Sequence, residues 1–242
     1  MIRAELHHHD VDALLLRRTD YGESDLIVTV LTDSLGKIAL LARGARKSQR
    51  RFGGSLQPFH GLALRVTEPR SGELFHLREA QIKTPRLTLV ADLTAMTTAG
   101  RALNWVRRAL PPQAVERSTF VSADGFLAQL DENPPKTTLD GEARLGEFGL
   151  HLLYQLGWAL ELRRCIRCGK SCPETSSATL NPELGGIICR SCGGARIRIS
   201  ADVRFAMVAA SFGNLEGFAA SDATQVLDIV EATLNHHGIL DA

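Results

Sequence analysis

Cys165, Cys168, Cys189 and Cys192 stand as two Cys-x2-Cys pairs with twenty residues between them. Such a turn points two sulfurs into one concavity, and two of them complete a tetrahedron of thiolates around one ion at a Zn–S distance of about 2.3 Å. Gly169 follows the first pair, and Gly193 and Gly194 follow the second. Arginines and lysines nearby favour the thiolate form. Four protein ligands leave no open coordination position, so the expected ion is a single structural zinc. An iron–sulfur cluster is the chemical competitor for four thiolates, and the knuckle spacing favours zinc. The fifth cysteine, Cys172, is expected to be a spare thiol.

A second chemistry, the binding of phosphate chains, is carried by the run RGARKSQRR, which holds Arg43, Arg46, Lys47, Arg50 and Arg51 and no acid. Glycine and serine among the charges let backbone approach a phosphate closely and add neutral donors. Arg17, Arg18 and Lys37 are expected to extend this surface; Phe52 and Phe59 are candidates for stacking on bases, though such rings are more often core. A charge run is often only a solvated face. That bland alternative weighs most on the second basic segment, residues 163–198, where Arg163, Arg164, Arg167, Lys170, Arg190, Arg196 and Arg198 outnumber Glu174 and Glu183.

Ordinary catalysis has little to stand on. Gly169-Lys170-Ser171 imitates the end of a phosphate-binding P-loop, but Arg164 occupies the position that needs the earlier glycine. No G-x-S-x-G or H-E-x-x-H pattern occurs. His7, His8 and His9 are expected to lie in a mobile tail. A net charge of +1 gives no whole-molecule attraction to polyanions, so any such partner must be met by local clusters. No apolar run is long enough to span a bilayer, and MIRAELHHHDVD has acids and histidines where a secretory segment would be apolar; the expectation is a cytoplasmic protein.

The elements that must position these groups change character along the chain. Val11–Arg18, Leu26–Thr32, Lys37–Arg43, Gly61–Thr67 and Glu73–Glu79 read as five short strands, enough for a small closed barrel of OB type. After Pro85 the apolar spacing turns helical: Leu87–Leu110, Phe120–Leu130, Ala143–Leu162, a helix capped at Ser200 or Asp202 and running to Phe212, and a last one from Ser221 or Asp222 to Gly238. The expected architecture is an all-β OB-fold barrel over residues 1–82 and an all-α domain over 83–242. A four-cysteine zinc module at 163–198 interrupts the second.

The stretch LLLRRTDYGESDLIVTVLTDSLGKIALLARGARKSQRRFGGSLQPF closely resembles the N-terminal domain of the RecO family, bacterial DNA repair proteins of the recombination-mediator class; GKSC and NPELGGIICRSCGG look like its zinc-bearing members. The resemblance implies an OB barrel followed by helices and a zinc module. It implies binding of single- and double-stranded DNA, annealing of complementary strands, and help in placing RecA on DNA coated with single-strand DNA-binding protein, without nucleotide hydrolysis. The implied partners are RecR, sometimes RecF, and the tail of the single-strand DNA-binding protein. Carried over by position, the DNA-facing residues are Arg43, Arg46, Lys47, Arg50 and Arg51 beside Lys37, while Glu23 and Asp25 in the Gly22–Asp25 turn are structural. Cys172 falls outside the family's four-cysteine set, and LNHHGILDA is poor in basic residues for contact with an acidic tail. A protein-docking scaffold with incidental DNA contact is the alternative. A metal-dependent nuclease would need an open site of histidine and aspartate.

Overall fold

Alternation of apolar residues along five strands produces the first structural unit. The computed structural model describes residues 7–48, 52, 54–69, 71–173, 175–213 and 220–240. Packing divides the chain into two compact units, residues 1–134 and 135–242.

In the first unit, strands β1 (His8–Tyr21), β2 (Asp25–Thr32), β3 (Lys37–Ala42), β4 (Gly61–Thr67) and β5 (Leu74–Thr84) close a barrel in the order β1-β2-β3-β5-β4. All pairings are antiparallel except β3 with β5, and closure gives each of the five strands a neighbour on both sides. Inward residues Val11, Ala13, Leu15, Val28, Val30, Ile38, Leu40, Leu62, Leu64, Val66, Phe75 and Leu77 fill the interior. The outline therefore matches the expected OB-like barrel.

Strand β1 is longer than its apolar run suggests. His8 and His9, expected in a mobile tail, pair with Thr67 and Val66 of β4. His9 Nε2 lies 2.8 Å from Glu68 Oε1, and His8 Nδ1 lies 3.0 Å from Thr67 Oγ1. A partner strand supplied from far along the chain outweighs the weak β-propensity of the histidines. The strand also carries a bulge: its register on β2 shifts between Leu15 and Arg17.

Helices α1 (Leu87–Ala91), α2 (Leu93–Ala109) and α3 (Arg117–Glu132) complete this unit. The single helix expected over Leu87–Leu110 is broken at Asp92, whose carboxylate accepts from the Ala95 amide at 2.7 Å and starts a new helix. At the turn before β3, Gly36 has φ +68, and a Cβ there would stand 2.2 Å from the Ala114 carbonyl oxygen. Only glycine admits the segment after α2 against this turn.

The second unit holds α4 (Thr138–Gln155), a three-stranded sheet of β6 (Ala178–Asn181), β7 (Gly186–Ile188) and β8 (Ile197–Ile199) in the order β7-β6-β8, and helices α5 (Ala201–Ser211) and α6 (Ala220–His236). Helix α4 stops earlier than the expected Leu162, because Gly157 turns with φ +76 and the chain leaves the helix for the cysteine segment. Ser200 caps α5 as expected, accepting from the Val203 amide at 3.1 Å.

An ion pair made by a buried arginine to a half-exposed aspartate ties the barrel's loop to its helices. Arg86 is 2% exposed; its Nη1 donates to the Phe59 carbonyl at 2.8 Å and its Nη2 to Asp124 Oδ1 at 2.6 Å. Its amide donates to Nδ1 of buried His60 at 3.0 Å, which fixes that nitrogen as an acceptor. Burial, and then the Arg86 charge, hold His60 below the ordinary histidine pKa. Below about pH 6.5 the unfolded chain therefore takes up more protons than the folded one at this site, so the stability contributed by neutral His60 is full above that pH and drains away beneath it. His76 and His237 are shifted in the same direction. The urea midpoint should fall between pH 7 and pH 5, and His60→Asn, which keeps an acceptor for the Arg86 amide, should flatten part of that fall. An unaltered pH profile in the variant contradicts this role.

Candidate nucleic-acid surface and metal centre

The bulge in β1 decides where two consecutive arginines go. Leu15 lies opposite inward-facing Val30, whereas Arg17 lies opposite Thr29 and Arg18 opposite inward-facing Val28. An uninterrupted strand would have alternated Arg17 onto the inner register; the extra residue places it on the outer face instead. Arg18 takes the inner register at the rim, where its Nη1 donates to the Leu56 carbonyl at 3.2 Å. Both side chains are exposed.

Strand β3 delivers the basic run. Gly44, with φ +66, turns the chain as β3 ends, and its amide donates to Asp25 Oδ1 at 2.7 Å. The Arg46 amide donates to the Ser24 carbonyl at 3.1 Å, so the loop is pinned to the β1–β2 turn by its own backbone amides. Asp25 is thus a support for the loop. Arg43, Arg46 and Lys47 are exposed upon it. Arg46 Nη1 comes within 3.7 Å of Asp20 Oδ2, but these side chains remain 47% and 67% exposed. An exposed pair of this kind contributes roughly 0–1 kcal/mol, too little to keep the guanidinium from a phosphate. Lys47 has no ionic partner within 4 Å among the described residues. Arg50 and Arg51 lie outside the described residues.

Lys37, at the start of β3, is half-buried, and its ammonium donates to the Arg107 carbonyl at 2.7 Å, at the C-terminal end of α2. Phe52 and Phe59, expected as stacking candidates, are only 2% and 8% exposed. Of the two readings open for these rings the core one holds, and neither is exposed for stacking on a base; Phe52 belongs to the barrel core. Sequence reasoning missed Arg107, whose only signal was its place in a basic last turn with Arg108.

In the second unit the four cysteine sulfurs all lie within 4.8 Å of one another. Cys168 and Cys189 sulfurs are 3.7 Å apart, against roughly 3.8 Å for two corners of a zinc–thiolate tetrahedron. Two amide turns build the knuckles: the Gly169 amide donates to the Cys165 carbonyl at 2.8 Å and the Gly193 amide to the Cys189 carbonyl at 3.1 Å. The Cys189 amide donates to Cys165 Sγ at 3.3 Å, and this hydrogen bond leads the effects that lower the Cys165 thiol to about 6. Cys192 is pushed up to about 12, chiefly by hydrogen bonding with the Cys189 thiol. Four sulfurs sharing protons at this spacing, with Cys165 readily ionised, form a donor set that a divalent cation suits.

Arginine joins the parts of this module. Arg167 Nη1 donates to the Cys192 and Gly193 carbonyls, each at 3.2 Å, which links the first knuckle to the second. Buried Arg204 of α5 donates to the carbonyls of Leu162 (3.1 Å), Cys172 (3.3 Å) and Pro173, clamping the chain on both sides of the first knuckle. Nothing in the sequence marks Arg204, which stands in a helix like any solvated arginine. Cys172 lies outside the sulfur cluster, with its thiol 3.9 Å from the Pro173 carbonyl.

Two family models divide the chain: residues 6–86 match Recombination protein O N terminal and residues 90–238 match Recombination protein O C terminal. The chain belongs to the RecO family. Its relatives include proteins named DNA repair protein RecO. That of Anaeromyxobacter dehalogenans (strain 2CP-C) is 32% identical over 232 residues, covering 93% of this chain and 89% of the relative. The RecO of Geobacter metallireducens is 36% identical over 182 residues, 75% of this chain and 71% of its own. That of Myxococcus xanthus is 32% identical over 203 residues, 84% and 80% respectively. The N-terminal RecO match ends two residues past β5, so it coincides with the barrel. No helix among the described residues is long and apolar enough to cross a membrane.

The sulfur cluster makes a sharp distinction among the cysteines. Cys168→Ser should abolish tight metal retention by the purified protein, measured by elemental analysis after dialysis, while Cys172→Ser should retain a full equivalent. Loss of metal in both variants contradicts the four-ligand assignment.

Proposed function

We propose that this RecO-family protein binds single- and double-stranded DNA through the basic face of its barrel, anneals complementary strands, and helps place RecA on DNA coated with single-strand DNA-binding protein. It acts without a catalytic step of its own, in the cytoplasm at the nucleoid, with RecR as partner and RecF in some settings. One structural zinc on Cys165, Cys168, Cys189 and Cys192 shapes the second unit, and the choice of zinc over an iron–sulfur cluster rests on the knuckle spacing.

The observation that carries this reading is the loop after β3. It holds Arg43, Arg46 and Lys47 exposed on a closed barrel, with its backbone bonded to Ser24 and Asp25, and Asp20 is the one acid within ionic reach of Arg46 among the described residues. Arg17, Arg18 and Lys37 add to the same basic set, and Arg50 and Arg51 continue it along the chain. Cations held this way can neutralise phosphates and release their condensed counterions, which removes the repulsion between two strands and lets bases pair. Contacts of this kind carry no sequence information, as annealing of arbitrary complements requires.

The double variant Arg46→Glu/Lys47→Glu should anneal complementary oligonucleotides at least about tenfold more slowly than the unaltered protein, equally for unrelated sequences. Its far-ultraviolet dichroism and metal content should not change. Normal annealing by this variant contradicts the assignment of the loop as the DNA contact.

A further inference from the structure

Between β3 and the end of α2 lies a hollow of about 260 Å³, lined by Arg17, Lys37, Arg107 and Gln113 over a floor that includes Thr29 and Ala39. Strand register explains the space. Arg17 lies opposite Thr29, and Thr29 opposite Ala39, so small side chains follow the bulged arginine across three strands. Lys37, two residues before Ala39, shares its face. The far wall is made by the segment after α2, held by the Gln113 amide donating to the Lys37 carbonyl at 2.8 Å.

The charges in this hollow are not balanced. Glu73 is the one acid among its described lining residues, and it makes no ion pair with the three cations within 4 Å. Lys37 uses one of its three N–H groups on the Arg107 carbonyl, which leaves two donors. Burial and then the Arg107 charge hold Lys37 below the ordinary lysine range, and burial, Arg17 and Arg108 act in the same way on Arg107. These cations repel one another in a partly dehydrated recess, and an anion seated among them would relieve all three at once.

We propose that Arg17, Lys37 and Arg107 hold one internal phosphodiester of a single DNA strand in this hollow. The proposal rests on the barrel being the DNA-binding surface and deepens that reading by adding a fixed anchor. Strand β3 has the hollow at its first residue and the basic loop just past its last. Six steps of about 3.3 Å separate Lys37 from Arg43, on the order of 20 Å. At a rise of about 3.4 Å per strand phosphate that distance is roughly six nucleotides, and fewer if the strand is extended. An OB fold covers about 4–16 nucleotides, so one strand can reach both points. The hollow would set the strand's register along β3, while the loop supplies neutralisation beyond it.

The test is equilibrium binding of a labelled 15-residue oligothymidylate across a salt series, by fluorescence anisotropy, for the full chain and for Arg17→Gln, Lys37→Gln and Arg107→Gln. The expected result is a loss of roughly three- to tenfold in affinity for each, with the salt slope reduced by at most about 0.7, the share of one single-strand phosphate. Among the described residues the Arg17 side chain makes no hydrogen bond that Arg17→Gln would remove, so a folding defect at Lys37 does not obscure the outcome. Arg46→Glu/Lys47→Glu is measured alongside. Loss of binding there with wild-type behaviour in all three glutamine variants overturns the hollow and leaves the DNA-binding surface standing. No loss in any variant overturns both. A loss that appears only with oligonucleotides bearing a 5′-phosphate assigns the hollow to a terminal phosphate and overturns the internal anchor.

Discussion

Strand β1 pairs along both of its edges, with β2 on one side and β4 on the other, and the barrel exists because it can. Fourteen residues long, the strand outreaches every partner, so it must bend to stay in the closed ladder, and the bulge between Leu15 and Arg17 supplies that bend. The same extra residue changes which arginine faces outward. Closure of the core and presentation of a cation are therefore one structural event. Tyr21 pairs with Asp25 where β1 and β2 meet, and Asp25 holds Gly44, so the basic loop takes its position from the same strand pair.

The second unit is held together by other means. Its sheet is only three short strands, too small to bury a core of its own. Two knuckles, the guanidinium of Arg167 and the clamp of Arg204 add to the burial of Leu180, Ile187, Ile188 and Ile199 in holding it together. Metal binding to such a module is folding free energy, since the unfolded chain offers no preformed site. The buried arginines, Arg86 in one unit and Arg204 in the other, act alike: each satisfies backbone carbonyls from segments distant in the chain.

What the sequence made legible follows from how local the signal was. Lys37–Ala42 and Gly61–Thr67 were readable to within a residue because apolar runs of strand length are bounded there by turn residues. The four cysteines were readable because spacing alone brings thiolates together. His8 and His9 look like tail in the sequence because their pairing depends on β4, and Phe52 and Phe59 stay open between stacking and core because a ring beside arginines looks the same in a string either way. Arg107 shows only as part of a basic last turn and Arg204 not at all: their meaning lies in a carbonyl or a hollow contributed by residues far away in the chain. Family resemblance narrowed the function and pointed to the loop cations, but it gave no sign of Arg107.

Neutralisation of phosphate chains by the proposed cationic face is measured most directly by counterion release. The unaltered protein's affinity for a single strand should fall linearly on logarithmic axes as salt rises. For about five phosphate contacts the slope should be roughly −3.5. Binding that is indifferent to salt, or confined to one sequence, would contradict it.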